Sequence, residues 1–245
     1  MWERTLLRVG PDEDRTTRVR WVQGTTWFGD VRVPADRPTR VRTVGVGELG
    51  VDELIALGRQ QGFAGRIERS GAVCRWRREI DFQPPASTPD EGRLAWDGDV
   101  LVEHGVHVAY VEHWRRLADD GGVVFALRAA EAPRALLVVV DDHFVLARDR
   151  ARPLPEGGPS LDGILPRLTA AQRRACLDCE VSYGRVQGGV RPWAVELSTR
   201  PAREGRGVWD GAEGRPRLGD DVRSRRWQMV ESSCAPAEIA RRLSL

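Results

Sequence analysis

The side chains best suited to acid–base chemistry are concentrated in one short segment of the chain. Residues 103–114 contain three of the four histidines, together with two glutamates, a tyrosine and a tryptophan. If this segment is one strand, its side chains alternate between two faces. One face then carries His104, Tyr110, Glu112 and Trp114, and the other carries Glu103, His107 and His113.

The face with Trp114 is the better candidate for a site. Trp114 has a matched counterpart, Trp227, later in the chain, which favours an interior position for this face. An interior carboxylate can act as a general base or anchor a ligand. If the protein is an enzyme, we therefore predict Glu112 or Asp30 as base with Tyr110 or His104 as proton donor. The competing interpretation is that these groups decorate a strand facing solvent.

A second strand contributes a further carboxylate. Asp30 lies two residues before Arg32 and two after Phe28, so the three side chains share a face. The favoured interpretation is an ion pair between Asp30 and Arg32, with the arginine as a structural clamp. Alternatively, Asp30 and Glu112 form two interior carboxylates that divide the acid and base roles.

A third strand supplies aromatic lining. Alternation over residues 74–82 places one set of side chains on a common face: Cys74, Trp76, Arg78, Ile80 and Phe82. A cavity with tryptophan walls and an arginine suits a planar ligand that is apolar or anionic. The alternative is a barrel filled by its own side chains.

The fold that positions these strands is duplicated within the chain. Residues 91–98 read EGRLAWDG, and residues 204–211 read EGRGVWDG. Further matched pairs follow in the same order, among them Phe28 with Phe144 and Gly65 with Gly184. This period is far longer than that of solenoid repeats, so it indicates two copies of a domain. We predict domains at 1–119 and 120–245.

Each copy has the pattern of an all-β unit with one helical insertion. The first copy contains eight β-rich or alternating runs: 2–8, 17–23, 26–33, 63–69, 73–82, 92–96, 99–103 and 106–116. The second contains comparable runs: 122–129, 134–140, 143–148, 178–185, 191–199, 206–209, 216–219 and 223–230. Helical spacing occurs at 51–57, near 160–176 and at 235–245. Eight strands are the number of a small closed barrel. We predict two tandem antiparallel β-barrels with short helical insertions.

Both copies resemble the lipocalin-like (calycin) barrel, and their tandem arrangement resembles the Hri-type tandem-barrel family. The resemblance rests on Trp21-Val22-Gln23 leading to residues 28–34, and on residues 180–185 and 196–199. It covers nearly the whole chain, but its motifs are strand patterns without catalytic signatures. It implies a fold and very little about activity.

The two copies differ where the candidate chemistry lies. In place of His104, His107, Tyr110, Glu112 and His113, the second copy carries Arg217, Asp220, Arg223, Arg225 and Arg226. Residues that recur are expected to serve the fold, whereas residues that differ are free to specialise. We therefore predict a functional cavity in the first barrel and a scaffold role for the second.

The composition excludes several mechanisms. All 38 basic residues are arginine, and the chain also lacks asparagine. Without lysine there is no Schiff-base nucleophile, no pyridoxal phosphate anchor and no Walker-type lysine. Without asparagine there is no Cys-His-Asn triad.

Partners and cofactors are predicted mainly by what the sequence lacks. Arginines are scattered at a net charge of +2, which predicts no nucleic-acid partner. No apolar run approaches roughly 20 residues, which predicts no membrane partner. The Cys176/Cys179 pair lacks a four-ligand zinc pattern, so we predict inert thiols, no metal, no cofactor and a cytoplasmic location. The oligomeric state stays open.

Three classes of function fit these residues. The favoured one is binding of a small apolar or aromatic organic molecule in the first barrel. In one version of this prediction the molecule is an anion. Its contacts would be Phe28, Arg32, Trp76, Arg78 and Trp114. The second is a cofactor-independent cyclase, isomerase or hydratase of specialised metabolism that uses Glu112, Asp30, Tyr110 and His104. The third is a structural module without an open cavity.

Overall fold

Antiparallel strands form most of the chain. The computed structural model describes residues 1–117, 122–129, 133–155, 160–209 and 227–244. Two sheets account for the strands, and short helices lie between them in sequence. The prediction of an all-β chain with short helical insertions is confirmed.

The first half is a closed barrel. Its last strand pairs with both its neighbour and the first strand, so eight strands form a complete ring. The ring consists of β1 (Trp2–Val9), β3 (Arg18–Gln23), β4 (Trp27–Val33), β5 (Gln61–Ser70), β6 (Val73–Asp81), β7 (Glu91–Asp97), β8 (Val100–Gly105) and β9 (Val111–Arg116). A short extra strand, β2 (Asp12–Asp14), pairs with β1. The eight predicted strands are confirmed, and the closed barrel supports a calycin-like class.

The second half contributes a six-stranded antiparallel sheet. Its strands are β10 (Val124–Ala129), β11 (Ala135–Val140), β12 (His143–Arg148), β13 (Glu180–Arg185), β14 (Ala194–Ser198) and β15 (Gln228–Ser232). The spatial order is β14-β13-β12-β11-β10-β15. The strand predicted at 216–219 and the first part of 223–230 lie outside the described residues, so closure of a second barrel stays a prediction. Residues 206–209 contribute an isolated bridge at Gly207 instead of a strand.

The helices occupy matching places in the two halves. Helix α1 (Val51–Gly58) lies between β4 and β5, and helices α2 (Leu161–Ile164) and α3 (Ala170–Cys176) lie between β12 and β13. Helix α4 (Pro236–Leu243) begins with proline, which is favoured in the first turn. In the described part of the chain, no helix has the length and apolar character needed to cross a bilayer.

A bulge beside a glycine recurs in both halves. Phe28 of β4 pairs with Gly65 of β5, and Phe144 of β12 pairs with Gly184 of β13. At both glycines the pairing with the following strand shifts register. A Cβ at Gly65 would lie 2.0 Å from the Arg77 carbonyl oxygen. Glycine is therefore required there, and the shared bulge supports the internal duplication.

The bulge in β6 corrects one expectation from the sequence. Gly65 pairs with Arg78 and Ala64 with Ile80, so the intervening residue of β6 is unpaired. The strand consequently changes face: Trp76 packs inside the barrel, whereas Ile80 and Phe82 pack between the two sheets. The prediction that Ile80 and Phe82 share the face of Trp76 and Arg78 is wrong.

The outer surface of the barrel packs directly against the second sheet. Buried side chains from both halves form one continuous apolar core. At its centre the backbone of Gly29 approaches Val145, and a Cβ at Gly29 would lie 2.4 Å from Val145 Cγ1. At the edge, the Glu231 carboxylate accepts backbone hydrogen bonds from Thr26 at 2.9 Å and Trp27 at 3.1 Å. The division into domains 1–119 and 120–245 stays a prediction.

The contact at Gly29 predicts a measurable loss of stability. Gly29→Ala should lower the free energy of unfolding by about 1–3 kcal/mol, because the new methyl group overlaps Val145. Urea denaturation measures the change. Gly163→Ala is the matched control, since its nearest atom is 3.8 Å away and little change is expected. Val145→Ala should offset part of the penalty in the double variant, and strict additivity would contradict the packing argument.

Candidate functional site

A cavity of about 220 Å³ lies within the closed barrel. Polar and aromatic side chains alternate along its wall. Of the nine residues predicted from the sequence, it brings together Phe28, Asp30, Arg32, Trp76, Arg78, Tyr110, Glu112 and Trp114. The other lining residues are Leu7, Val9, Trp21, Phe63, Asp90, Glu103 and Val108.

His104 lies outside the cavity. Residues 103–114 are not one strand: β8 ends at Gly105, β9 begins at Val111, and the intervening residues form a turn. Glu103 therefore lies opposite Glu112 on the neighbouring strand, and both side chains point inward. His104 is exposed on the opposite face. The face assignment across 103–114 is wrong, and Glu103 takes the place expected for His104.

Glu103 is buried and bonded to neutral donors. The Tyr110 hydroxyl donates to Oε1 at 2.6 Å, and the Trp114 indole N–H donates to Oε2 at 3.0 Å. The carboxyl fits because Gly92 faces it; a Cβ at Gly92 would lie 2.7 Å from Glu103 Cγ. Burial, followed by the nearby charge of Glu112, raises the pKa of Glu103 to about 8. This group thus titrates near neutral pH.

Tyr110 is positioned by the turn between β8 and β9. A Cβ at Gly105 would lie 2.4 Å from Tyr110 Cε1, so glycine leaves room for the ring. Burial and the charge of Glu103 raise the pKa of Tyr110 above its ordinary value. The hydroxyl accordingly stays protonated and acts as a hydrogen-bond donor.

Arg32 connects two of the predicted site carboxylates. Its Nε and Nη2 donate to Asp30 at 2.9 and 3.3 Å, and its Nη1 donates to Glu112 at 2.9 Å. Glu112 Oε1 also accepts from Arg4 Nη1 at 2.8 Å, and Arg4 reaches Asp14 at 2.9 Å. The predicted pair of Asp30 with Arg32 is present, and Arg32 bridges β4 and β9 across the barrel interior.

Burial and charge oppose each other in this network. Burial raises the pKa of Asp30, and the positive charge of Arg32 only partly offsets the shift. Burial lowers the pKa of Arg32, but the charges of Asp30 and Glu112 outweigh it and hold the pKa well above its ordinary value. Arg32 is a fixed cation whose positive charge is balanced by Asp30 and Glu112.

Arg78 forms a second network at the cavity wall. Its Nε and Nη2 donate to Asp90 at 2.9 and 2.7 Å, and its Nη1 donates to Asp81 at 3.1 Å. The guanidinium carbon lies 3.5 Å from the centroid of the Phe63 ring. This is a cation–π contact inside the barrel. Arg78 is thereby held on three sides.

Tryptophan rings form the floor of the cavity. The Trp21 ring lies edge-on to Trp114 with centroids 5.1 Å apart, and edge-on to Trp76 at 5.8 Å. Trp2 stacks on the far side of Trp21 at 5.9 Å. Edge-to-face pairs are a favoured aromatic geometry. The cluster gives the cavity a rigid apolar base.

Two exposed valines contribute to the lining of the cavity. Val9 at the end of β1 is 47% exposed, and Val108 in the turn before β9 is 54% exposed. Because both side chains contact solvent as well as the cavity, they mark its mouth. An apolar molecule would pass these side chains on entry.

In the described part of the second half, the corresponding face is packed with apolar side chains. Leu146 replaces Asp30, Phe144 packs on Trp193 at 5.1 Å, and Ile239 of α4 is buried against the same face. Arg148, the counterpart of Arg32, donates to Asp178 at 2.6 Å. The five positions compared with His104 to His113 lie outside the described residues. The scaffold role of this half stays a prediction.

The cysteines do not form a site. Cys176 and Cys179 are both buried, and neither forms a disulfide. Burial raises the pKa of Cys179 to about 12. Buried thiols in an apolar setting are poor nucleophiles. Across the described residues, no three His, Cys, Asp or Glu side chains converge in a manner suited to a metal ion.

Seven lining residues were not predicted as part of the site, and three of these take part in its polar or cation–π contacts. Glu103 was placed on the wrong face, and its only signal was Gly105, which marks the end of β8. Phe63 lies opposite Asp30 on β5, but strand pairing is needed to see that. Asp90 precedes β7 and becomes relevant only through Arg78. Long-range pairing therefore supplies what local alternation lacks.

The comparisons with known proteins reach only the fold. The chain is similar to the crystal structure of the uncharacterized protein YLR301w from Saccharomyces cerevisiae. The TM-score is 0.55 at 12% identity, and the alignment covers 95% of this chain and 98% of that one. No protein-family model matches the sequence, and neither does any curated protein.

The burial of Glu103 predicts a pH-dependent stability. Its folded-state pKa of about 8 exceeds the unfolded value near 4.5, so the folded protein retains a proton between these values. This group therefore lowers stability as pH rises through that window. Glu103→Gln should be as stable as the parent near pH 4.5 and more stable at pH 9, with the difference growing by about 1.4 kcal/mol for each pH unit between the two pKa values.

Urea denaturation at pH 5, 7 and 9 tests this expectation. Glu196→Gln is the control, because Glu196 is exposed on β14. Its difference from the parent should not change with pH. If the free energies of unfolding of Glu103→Gln and the parent differ by the same amount at all three pH values, Glu103 is not an unneutralised buried carboxyl.

Proposed function

We propose that the chain binds a small apolar or aromatic organic molecule in the cavity of the first barrel. The supporting observation is the contrast between the two halves. The first encloses about 220 Å³ beside tryptophan rings, whereas the described face of the second carries a packed apolar cluster that includes Phe144, Leu146 and Trp193. An eight-stranded barrel is just wide enough to be filled or to hold one small ligand.

The size of the cavity sets the size of the ligand. An engineered protein cavity of about 150 Å³ holds benzene. A cavity of about 220 Å³ therefore suits a molecule with one or two rings. Rings of this kind would stack on Trp21, Trp76 and Trp114, with polar groups within reach of Glu103 and Tyr110.

The second candidate is a cofactor-independent enzyme that uses the same cavity. The observation favouring it is the Glu103–Tyr110 pair, in which a carboxyl with a pKa of about 8 is bonded to a hydroxyl. A carboxyl that titrates near neutral pH is suited to proton transfer. In this version Glu103 replaces Glu112 as the base, because Glu112 is bound by Arg4 and Arg32.

Membership of the Hri-type tandem-barrel family and a cytoplasmic location belong to the same proposal. The two halves share strand order, helix placement and the glycine bulge, which supports a tandem origin. The four cysteines are unpaired, which fits a reducing compartment.

Blocking the mouth of the barrel should abolish binding. Val108→Trp places a large ring at the entrance, where the exposed side chain tolerates the change. Affinity for one- and two-ring aromatic compounds, measured by calorimetry or tryptophan fluorescence, should fall at least tenfold. Native mass spectrometry of protein from its source cells should show a co-purified small molecule in the parent and less in the variant.

The matched control is Val190→Trp in the second half. Val190 is 86% exposed and does not line the cavity, so binding should be unchanged. Equal loss in both variants would place the site elsewhere. If the parent retains no molecule and binds none of the compounds, the structural-module interpretation replaces the binding proposal.

A further inference from the structure

Carboxyl groups outnumber guanidinium groups around the cavity. Four carboxyls line it: Asp30, Asp90, Glu103 and Glu112. Only Arg32 and Arg78 line it with positive charge. Arg4 is bonded to Glu112, but it is shared with Asp14. The site therefore holds more potential negative charge than positive charge.

The two lining arginines are already occupied. All three guanidinium nitrogens of Arg32 donate to Asp30 or Glu112, and all three of Arg78 donate to Asp81 or Asp90. These bonds use three of the five N–H groups on each guanidinium, but the carboxylates already balance its positive charge. An anionic ligand would therefore add negative charge beside Glu103 and the other lining carboxyls without a spare cation to receive it. An anion is thus the least suitable ligand for the site.

Glu103 is the lining carboxyl that lacks a cation. Its hydrogen bonds come from the neutral groups of Tyr110 and Trp114. Within the described ranges, no arginine side chain lies within ion-pair distance of it. A buried carboxylate gains most from a partner that brings positive charge and N–H donors together. The missing partner can be supplied by a ligand.

The surrounding rings are also suited to positive charge. Aromatic faces attract ammonium and guanidinium groups, most strongly when water is excluded. The barrel already uses this contact, since Arg78 stacks on Phe63. The rings of Trp76 and Trp114 lie in the same wall as Glu103.

We propose that the cavity binds an organic cation: a protonated amine carried on a one- or two-ring frame, with its ammonium group at Glu103 and its frame against the tryptophan rings. This inference rests on the proposed binding function and specifies the class of ligand. It replaces the anionic version predicted from an arginine in an aromatic-lined cavity. Entry past Val9 and Val108 suits the apolar frame.

Binding of such a ligand is coupled to proton release. An ammonium group favours the ionised form of Glu103, so the group loses its proton as the amine binds. The titratable or charged groups that influence Glu103 or face it are Glu112, Tyr110, Arg32, Asp90 and Cys74. Below the pKa, affinity should rise about tenfold for each unit of pH, because one proton must leave.

The test compares three ligands of equal shape. Phenethylamine, 2-phenylethanol and phenylacetate share a frame and differ in charge, and the matched indole series extends the set to two rings. Calorimetry at pH 7 should give at least tenfold tighter binding for the amine than for the alcohol, with the carboxylate weakest. The amine should release protons, seen as a dependence of the heat on buffer ionisation.

Glu103→Gln isolates the charge. The variant preserves the shape; its amide oxygen can accept from Trp114 and its NH2 can donate to the Tyr110 oxygen. Affinity for the amine should therefore fall at least tenfold and affinity for the alcohol less than threefold. Proton release should disappear. Glu196→Gln, an exposed change on β14, is the control and should leave all three affinities unchanged.

The outcomes separate the two proposals. If the alcohol or the carboxylate binds as well as the amine, the cation inference is overturned and the binding function stands. An amine preference that survives Glu103→Gln overturns the role of Glu103. If folded, ligand-free protein binds no member of either series, both the inference and the proposed function fail.

Discussion

The interior of the first barrel depends on Arg32. This side chain holds Asp30 and Glu112 apart from solvent and links β4 to β9 across the barrel. Without it Asp30 would lose its cation while buried and Glu112 would keep only Arg4, at a cost of several kcal/mol. Because hydrogen bonds hold these charged groups in place, they do not pack together to fill the interior as apolar side chains do. In the described part of the second half, Leu146 stands in place of Asp30, and Phe144 packs on Trp193 beside it.

The glycines decide which side chains reach the cavity. Gly65 accommodates the bulge that leaves Trp76 and Arg78 inside and turns Ile80 toward the second sheet. Gly92 makes room for Glu103 in the same way. A sheet this curved cannot maintain strict alternation, so bulges and missing side chains set the direction of the remaining ones. The polar cavity and the apolar core between the halves are both consequences.

Sequence patterns predicted the strands well because each alternating run is a local property. They predicted the barrel in the first half, the helix at Val51–Gly58 and the ion pair of Asp30 with Arg32. They were wrong about His104 because alternation was carried across a turn. An error of this kind reverses the faces of the residues on one side of the turn, here Glu103 and His104. The pairing of Glu103 with Tyr110 depends on strand register, which local patterns do not contain.

The surplus of carboxyls connects stability with binding. Glu103 is held in a place where its ionised form is disfavoured, so the empty barrel is less stable at high pH than it would be with a neutral residue there. A bound cation would remove that cost, and any ligand that prefers the folded state stabilises it. Glu103 would therefore lower the stability of the ligand-free protein and make the cavity selective for a cationic ligand. The pH dependence of stability and the preference for a cationic ligand therefore both depend on the Glu103 carboxyl.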